Sequence, residues 1–300
     1  MRGLVLVFIS ILIIGILGSC NRDKVPEKDT PTAGIITIAV DSSLKDLIDQ
    51  QVFVFNSLYK YATVLTEYNP GEVAYSRLRS DSIRMVIGYR EADPADSAWF
   101  LNIKIHPRTH MIGADAMVLV CNKLCSDSVL TLDQLRERFL TDSSTSKLTP
   151  KRKLLFDNPK SSIPKLFLEK LGITNIHPSN SFAFQNVHDV IDYISSDTMA
   201  IGVIPYSSLL SDTTLPGPNA KVLGVADSTG GAGVVPTFKT LSKRTYPLIL
   251  GIYILSREAR SGLGTGFTAF VNSDKGQRII LREGLAPADM PPHPVNIYGN

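Results

Sequence analysis

Short β-branched segments alternate with amphipathic segments along most of this chain. Residues 35–40 read IITIAV and are followed by a polar turn and then by apolar residues at helical spacing. Residues 117–121 (MVLVC) and 199–204 (MAIGVI) are further short apolar runs, and each is adjacent in sequence to an amphipathic stripe. Strands that alternate with helices in this way predict an α/β fold whose sheet is mostly parallel.

Local signals predict where several helices begin and end. The predicted caps are Thr131 with Gln134, Asn186, and an approximate capping box of Ser43 with Asp46, and the predicted helix end is Gly172. Residues 211–245 are expected to be rich in loops.

The composition is that of a globular protein. Apolar residues make up 44% of the 300 residues and charged residues 20%, which excludes an intrinsically disordered chain. The 31 basic and 28 acidic residues give a net charge of +3, which is too small an excess to indicate a nucleic-acid-binding protein. Three cysteines are too few for a disulfide-stapled scaffold.

The N-terminus has the pattern of an export signal. Arg2 precedes an uncharged apolar run at residues 4–17, which is short of the about 20 residues that a membrane-spanning helix needs. The run ends in LGSC at residues 17–20, which resembles the lipobox of bacterial lipoproteins. We therefore expect residues 1–19 to be a cleaved signal peptide and Cys20 to carry the lipid. The alternative is an uncleaved anchor helix with an incidental cysteine.

Residues 20–34 are predicted to form a lipidated cysteine and a tether. The segment after Cys20 reads NRDKVPEKDTPTAG, with many charges, two prolines and no apolar periodicity. The expected location is therefore the cell envelope, with the protein anchored by lipid on the periplasmic or outer side of a bacterial membrane. A buried acyl chain contributes roughly 0.8 kcal/mol per CH₂ to such anchoring.

Four stretches together resemble one family. They are ITIAVDSSLKDLI at residues 36–48, the segment at 115–140, the segment at 187–209 around MAIGVIPYSSL, and residues 246–286 with SDKGQRIILREGLAP. In this order and spacing they resemble the phosphate-type periplasmic solute-binding proteins of ABC importers. The resemblance covers nearly all of the chain after the predicted signal.

The resemblance implies a two-lobed clamshell of the type II periplasmic-binding fold. Residues 35–112 and 246–300 are expected to form lobe I, and residues 113–245 lobe II. A small anionic ligand would bind in the cleft between the lobes, and closure about a hinge would complete the site. The implied partners are an ABC permease in the inner membrane and the membrane itself through the lipid anchor. No nucleic acid, cofactor or catalytic residue is expected.

Two loops have the residues that an oxyanion site needs. Backbone N–H groups at a helix N-terminus and nearby hydroxyl groups are suitable donors to an anion. In the family that this chain resembles, both loop positions contribute to phosphate binding, whereas from the residues alone ordinary helix caps are the favoured interpretation of the serines. The candidate residues are Ser42 and Ser43 in the first loop and Lys160, Ser161 and Ser162 in the second.

Arg90 is a further candidate for the ligand site. It follows the third predicted strand, where many members of the family have an arginine, and a guanidinium can bind an oxyanion with two hydrogen bonds. The alternative is a surface arginine that pairs with Glu91 or Asp93.

The chain also departs from the family pattern. The position of the family's second-loop arginine holds Asp157, and the acidic position before Arg90 holds Tyr89. Lys160 would then have to supply positive charge, and Asp157 would disfavour an anion if it points inward. The expected ligand is therefore phosphate or a similar small oxyanion.

Other chemistry-bearing residues do not form a recognisable motif. His106 and His110 are four residues apart, but Pro107 interrupts the helix that would bring them together, so no metal site is expected. Cys121 and Cys125 either pair in an oxidising compartment or remain two small buried thiols. The sequence contains no nucleophile elbow, zinc-protease motif or phosphate-binding loop.

Two functional hypotheses remain open, together with a weaker third. The first is a lipid-anchored receptor that delivers a small oxyanion to an ABC importer. The second is a non-transporting lipoprotein with the same fold that acts as an envelope sensor or interaction scaffold, because a fold does not determine a function. The third is an envelope phosphohydrolase, which no sequence motif supports.

Overall fold

A computed structural model describes residues 29–80, 83–140, 152–173, 181–227 and 231–290. The predicted signal peptide and the lipidation site at Cys20 lie outside the described residues. Within those ranges, none of the helices combines the length and the apolar character needed to cross a membrane.

The first part of the chain alternates strands and helices. Its elements are β1 (Ala33–Asp41), a 3₁₀ turn (Ser42–Leu44), α1 (Lys45–Leu58), β2 (Tyr61–Asn69), α2 (Gly71–Arg77), β3 (Met85–Gly88), α3 (Pro94–Asn102) and β4 (Arg108–Asn122).

The second part begins after β4 with shorter elements, and the chain then returns to the first sheet. The elements of the second part are β5 (Val129–Thr131), α4 (Leu132–Leu140), β6 (Lys153–Phe156), α5 (Ser162–Leu171), β7 (Ser181–Ala183), α6 (Val187–Ser196), β8 (Ala200–Pro205), α7 (Tyr206–Ser211), β9 (Ala220–Val222), β10 (Gly224–Ala226) and α8 (Phe238–Ser242). The returning elements are β11 (Ile249–Ser256), α9 (Leu263–Val271), α10 (Asp274–Arg282) and β12 (Ala286–Pro287).

The long strand β4 is common to both lobes. The strands lie in the order β2-β1-β3-β11-β4-β8-β6-β7. The parallel pairs are β1–β2, β1–β3, β6–β7 and β6–β8. Residues 108–116 of β4 pair antiparallel with β11, and residues 117–121 pair antiparallel with β8. β4 therefore changes partner between Ala116 and Met117, and the expected two-lobed α/β architecture is confirmed.

Local sequence signals explain several helix starts. The Asn186 side chain accepts a hydrogen bond from the Asp189 N–H at 3.0 Å and caps α6. Thr131 and Gln134 form a reciprocal capping box at the start of α4, with both distances 3.0 Å. Gly172 ends α5 in the left-handed conformation, with φ of 64°. These caps and this helix end were predicted, and they are confirmed.

Aromatic packing holds α1 in place. Phe55 of α1 is fully buried, and its ring lies 5.3 Å from that of Phe267 and 5.4 Å from that of Phe270. Full burial of such a side chain contributes about 1.5–3 kcal/mol. Because α1 is fixed in this way against α9, the polar loop between β1 and α1 has a defined position.

The structure differs from the sequence-based prediction at the edges of elements. β1 begins at Ala33, two residues before its predicted start. Ahead of it, Asp29 pairs with Arg84 at 2.6 Å and accepts the Leu263 N–H at 2.8 Å. The end of the predicted tether is therefore packed on the first lobe. The loop-rich region predicted at 211–245 contains β9, β10 and α8.

The two cysteines that the sequence left either paired or free are free thiols in the structure. Cys121 and Cys125 are both buried and unpaired by a disulfide.

Candidate ligand-binding cleft

Two strands, one from each lobe, end at aspartates beside the N-terminus of a helix. Asp41 is the last residue of β1 and is followed by the 3₁₀ turn into α1. Asp157 follows β6 and is separated from α5 by a short loop. The N-terminal ends of two helices are therefore directed to the same cleft, a geometry that favours anionic groups.

The Asp41 carboxylate joins the two lobes. Its Oδ1 accepts the Ser43 N–H at 3.1 Å, and its Oδ2 accepts the Ser162 hydroxyl at 3.0 Å. Ser162 is the first residue of α5 in the second lobe. The sequence suggested a cap formed by Ser43 with Asp46, and this was wrong, because the cap of the turn is Asp41.

Asp157 organises the second loop. Its Oδ1 accepts the Ser161 hydroxyl at 2.9 Å, while the Asn158 Oδ1 accepts the Lys160 N–H at 2.9 Å. Asp157 is 7% exposed and Asp41 only 1%. Both carboxylates are therefore largely removed from water.

A cavity of about 230 Å³ lies between these two loops. This volume is smaller than the about 300–1,000 Å³ of pockets that take drug-sized ligands, so the cavity fits a small ion or molecule. None of the described residues that line it is a lysine or an arginine. The polar lining includes Asp41, Ser42, Ser43, Asp157, Asn158 and Ser161.

Burial makes both carboxyl groups easier to protonate. Burial raises the pKa of Asp41 to about 6, an effect that hydrogen bonds from Ser43 and Ser162 partly offset and that the charge of Asp157 increases. Burial likewise raises the pKa of Asp157 to about 6. A protonated carboxyl group can donate a hydrogen bond, whereas an ionised one only accepts. The cleft therefore changes from an acceptor site to one with donors as the pH falls through 6.

A buried polar network lies where β4 passes from one lobe to the other. Asp115 is fully buried in β4, and its Oδ2 accepts the Tyr89 hydroxyl at 2.7 Å. Its Oδ1 accepts the Ala116 N–H at 2.7 Å and the Ser207 N–H at 3.1 Å. The Ser207 hydroxyl also donates to the Ser43 carbonyl at 3.3 Å. These hydrogen bonds connect both lobes to the strand that they share.

Among the described residues, no group of three or more His, Cys, Asp or Glu side chains is arranged to hold a metal ion.

The comparisons with known proteins agree with this fold. A family model described as a PBP superfamily domain matches residues 25–275. The chain belongs to the PBP superfamily. No protein of curated function matches the sequence.

Solved structures share the fold of this PBP-superfamily chain at low sequence identity. A phosphate ABC transporter substrate-binding protein from Clostridium perfringens, solved with bound phosphate, is 16% identical, with a TM-score of 0.68 over 85% of this chain and 100% of that one. An ABC-type phosphate transport receptor from Vibrio cholerae is 18% identical, with a TM-score of 0.67 and the same coverage. PstS from Borrelia burgdorferi is 15% identical, with a TM-score of 0.56 over 85% and 99% of the chains.

In this PBP-superfamily protein, the Arg90 side chain lies outside the cavity. Its guanidinium pairs with Asp96 at 2.6 Å and lies over the Tyr75 ring at 3.8 Å from the centroid. Asp93 is a further carboxylate partner at 3.6 Å, as the alternative for Arg90 predicted. That alternative was wrong in placing the arginine at the surface, because its side chain is largely buried and its main partner is Asp96. The positive charge of Arg90 is therefore neutralised within the first lobe.

The structure brings together four of the six residues proposed for the ligand site. Ser42, Ser43 and Ser161 line the cavity, and Ser162 contacts Asp41 at its edge. The Lys160 side chain is exposed and does not line the cavity; its backbone carbonyl instead accepts the Glu72 N–H at 3.1 Å.

Sequence reasoning missed the roles of Asp41 and Asp115. Asp41 had a local signal, because a polar residue at the end of a buried strand lies at the ligand-binding edge of an α/β sheet. Asp115 had a weaker signal, as a single acidic residue within the apolar run at residues 111–121 of β4.

Proposed function

We propose that this protein is an exported solute-binding receptor that captures phosphate or a related small oxyanion between its lobes for an ABC importer. The observation that carries the proposal is the convergence of two helix N-termini, one from each lobe, on a small polar cavity. The family membership supports it, as do the phosphate-binding names of the solved structures with the same fold.

The acidic lining narrows the ligand class. Asp41 and Asp157 line the cavity without a lysine or arginine among the described lining residues. A fully ionised oxyanion would be repelled by two ionised carboxylates. An oxyanion that carries hydroxyl groups donates hydrogen bonds to these carboxylates. The proposed ligand is therefore a protonated oxyanion such as hydrogen phosphate.

The proposed work is binding and closure, without a covalent step. Ser42, Ser43, Ser161 and Ser162 supply hydroxyl and backbone donors, and the two helix dipoles favour the anion. Residues 35–112 with 246–300 and residues 113–245 are the proposed lobes, whose hinge is the shared strand β4.

A panel of anions tests this proposal. Ligand that binds only the native state stabilises it by about 2.7 kcal/mol at a hundredfold excess over Kd, so binding is measurable as an increase in Tm. Phosphate, sulfate and molybdate should give unequal shifts, with phosphate the largest near neutral pH. If none of the anions raises Tm, the proposal is wrong.

The variant Asp157→Asn tests the role of the carboxyl group. It removes a charge while keeping the shape of the side chain, so it should increase sulfate affinity at about pH 8, where the wild-type carboxylate is ionised. Asp192→Asn is a matched control, because Asp192 is an exposed carboxylate of α6 that does not line the cavity. Equal affinity in Asp157→Asn and the wild type would contradict the proposed role.

Lipid anchoring at Cys20 is a separate part of the proposal, supported by the LGSC sequence at residues 17–20. Cys20→Ser should abolish lipid attachment, which metabolic labelling with a fatty acid measures. A mutant that is still labelled and sediments with membranes would rule out this anchor.

A non-transporting sensor or scaffold is the second candidate. The buried acid pair favours it, because Asp41 and Asp157 line the cavity with no lysine or arginine among the described lining residues and oppose a fully ionised ligand. It predicts a folded protein whose Tm does not change with any oxyanion.

A further inference from the structure

The two lobes contact each other directly at the mouth of the cleft. The Ser162 hydroxyl of the second lobe donates to Asp41 of the first at 3.0 Å. Next to it, the Glu72 N–H at the start of α2 donates to the Lys160 carbonyl of the second lobe at 3.1 Å. We call these two hydrogen bonds the interlobe clasp.

The Glu72 amide is an informative member of the clasp. It lies in the first turn of α2, where backbone N–H groups have no partner within the helix. The Lys160 carbonyl supplies that partner from the other lobe. Separation of the lobes would therefore leave this amide to exchange with water.

Gly71 makes the close approach possible. A Cβ atom at this position would lie 1.9 Å from Ser162 Oγ and 2.3 Å from Asp41 Oδ2. Both distances are far below van der Waals contact, so any larger residue would separate the clasp. The φ angle of Gly71 is not positive, so an alanine is compatible with the backbone at this site.

An ion pair adds to the contact at the rim. The Lys165 ammonium of α5 lies 3.4 Å from Asp93 and 3.8 Å from Glu72, both in the first lobe. These side chains are partly exposed, so we expect a contribution of about 0–1 kcal/mol from each pair. The buried hydrogen bonds are the main connection.

We propose that the interlobe clasp closes the cleft without a ligand and that Asp41 is an internal competitor of an anionic ligand. Asp41 accepts the hydrogen bonds from Ser43 and Ser162 that the ligand would otherwise accept. The competition by Asp41 rests on the proposed oxyanion binding. Closure by the clasp is independent of which ligand binds.

The groups around Asp41 are consistent with this role. The charge of Asp157 in the second lobe acts on it, and Tyr75 of α2 and Tyr89 after β3 are near enough for its charge to act on them. No cation is among the described hydrogen-bond partners of its carboxyl group. Its donors are therefore Ser43 and Ser162, the same groups that the cleft offers to an anion.

Hydrogen exchange at the Glu72 amide tests the clasp. The measurement is made by NMR on the folded chain in a buffer without phosphate or sulfate. Gly71→Ala and Ser162→Ala should each speed exchange of this amide at least tenfold, because each removes the interlobe contact. Ser76→Ala is the control on the same helix, since the Ser76 hydroxyl bonds only to the Val73 carbonyl on the exposed face.

The possible results distinguish a clasp that holds the lobes together from one that does not. Faster exchange in Gly71→Ala and Ser162→Ala, but not in Ser76→Ala, supports the clasp even if no oxyanion ever binds. Unchanged exchange in both clasp variants overturns it. If Gly71→Ala does not fold, Ser162→Ala alone decides, because it only deletes a hydroxyl group.

A titration tests the competition. If Asp41 competes with the ligand, phosphate should slow Glu72 exchange much more in Asp41→Ala, which keeps both serine donors, than in the wild type, whose cleft is already closed. An equal effect of phosphate in the two proteins would show that closure depends on the ligand and that the clasp contributes nothing. Absence of any phosphate effect in either protein would contradict oxyanion binding while leaving the exchange result above intact.

Discussion

The Tyr89 hydroxyl donates a 2.7 Å hydrogen bond to Asp115 inside the strand that the two lobes share. Both side chains are buried, and burial raises the pKa of Asp115. A carboxyl group in this position depends on its donors, because none of its described hydrogen-bond partners is a cation. The interface between the lobes therefore contains a polar network that only a limited set of side chains can satisfy.

Removal of the Tyr89 hydroxyl should destabilise the protein. Tyr89→Phe leaves one lone pair of a buried carboxyl group without a partner, which should lower the free energy of unfolding by about 1–3 kcal/mol. Urea unfolding followed by circular dichroism measures the change. Tyr61→Phe, at the partly exposed start of β2, is the matched control and should stay within about 0.5 kcal/mol. Equal effects of the two substitutions would show that the network does not stabilise the fold.

Anion binding should strengthen as the pH falls. Burial raises the pKa values of Asp41 and Asp157 to about 6, above the ordinary value of about 3.9 for an exposed aspartate. The stabilisation of the closed cleft by protonation is thus fully present below about pH 4 and is lost as the pH rises through 6. Calorimetric titration with sulfate checks this, because sulfate stays fully ionised and only the protein titrates. An affinity that is constant between about pH 5 and pH 8 would contradict the assignment.

Neutralising Asp41 should increase affinity for an ionised anion. Asp41→Asn removes the repulsion, and a shift equivalent to one pKa unit corresponds to about 1.4 kcal/mol, or tenfold in Kd. We therefore expect sulfate to bind about tenfold more tightly at about pH 8. The control is Asp46→Asn, an exposed residue of α1 with the same change of charge. Weaker binding by Asp41→Asn would show that Asp41 is a required ligand contact and not a competitor.

The sequence predicts local structure well where the signal lies within a few residues. The caps at Thr131 and Asn186 and the helix end at Gly172 each depend on neighbours within one helical turn, and all were predicted. The order of strands and helices and the two-lobed fold followed from the same kind of signal together with the family resemblance. Element edges were less accurate, as at Asp29, whose partners Arg84 and Leu263 are remote in sequence.

The site was predicted less well because its decisive contacts are remote in sequence. Asp41 and Ser162 are 121 residues apart, and no periodicity or spacing connects them. The donors were identifiable as serines before helices, but the acceptor that occupies them in the closed cleft was not. Gly71 shows the same limitation, since its role is to leave room for two side chains that the sequence does not place nearby.

Arg90 provides the sharpest contrast between the family pattern and this structure. Its guanidinium is paired with Asp96 and stacked on Tyr75, so its charge stabilises the first lobe and does not reach the cavity. Arg90→Gln should therefore lower the free energy of unfolding while changing the phosphate Kd less than about threefold, which is about 0.7 kcal/mol. Paired urea unfolding and phosphate titration measure the two effects, with Arg77→Gln, whose partner Glu67 is at the surface, as the control for loss of an ion pair. A loss of affinity of tenfold or more in Arg90→Gln, with stability unchanged, would return Arg90 to the ligand site.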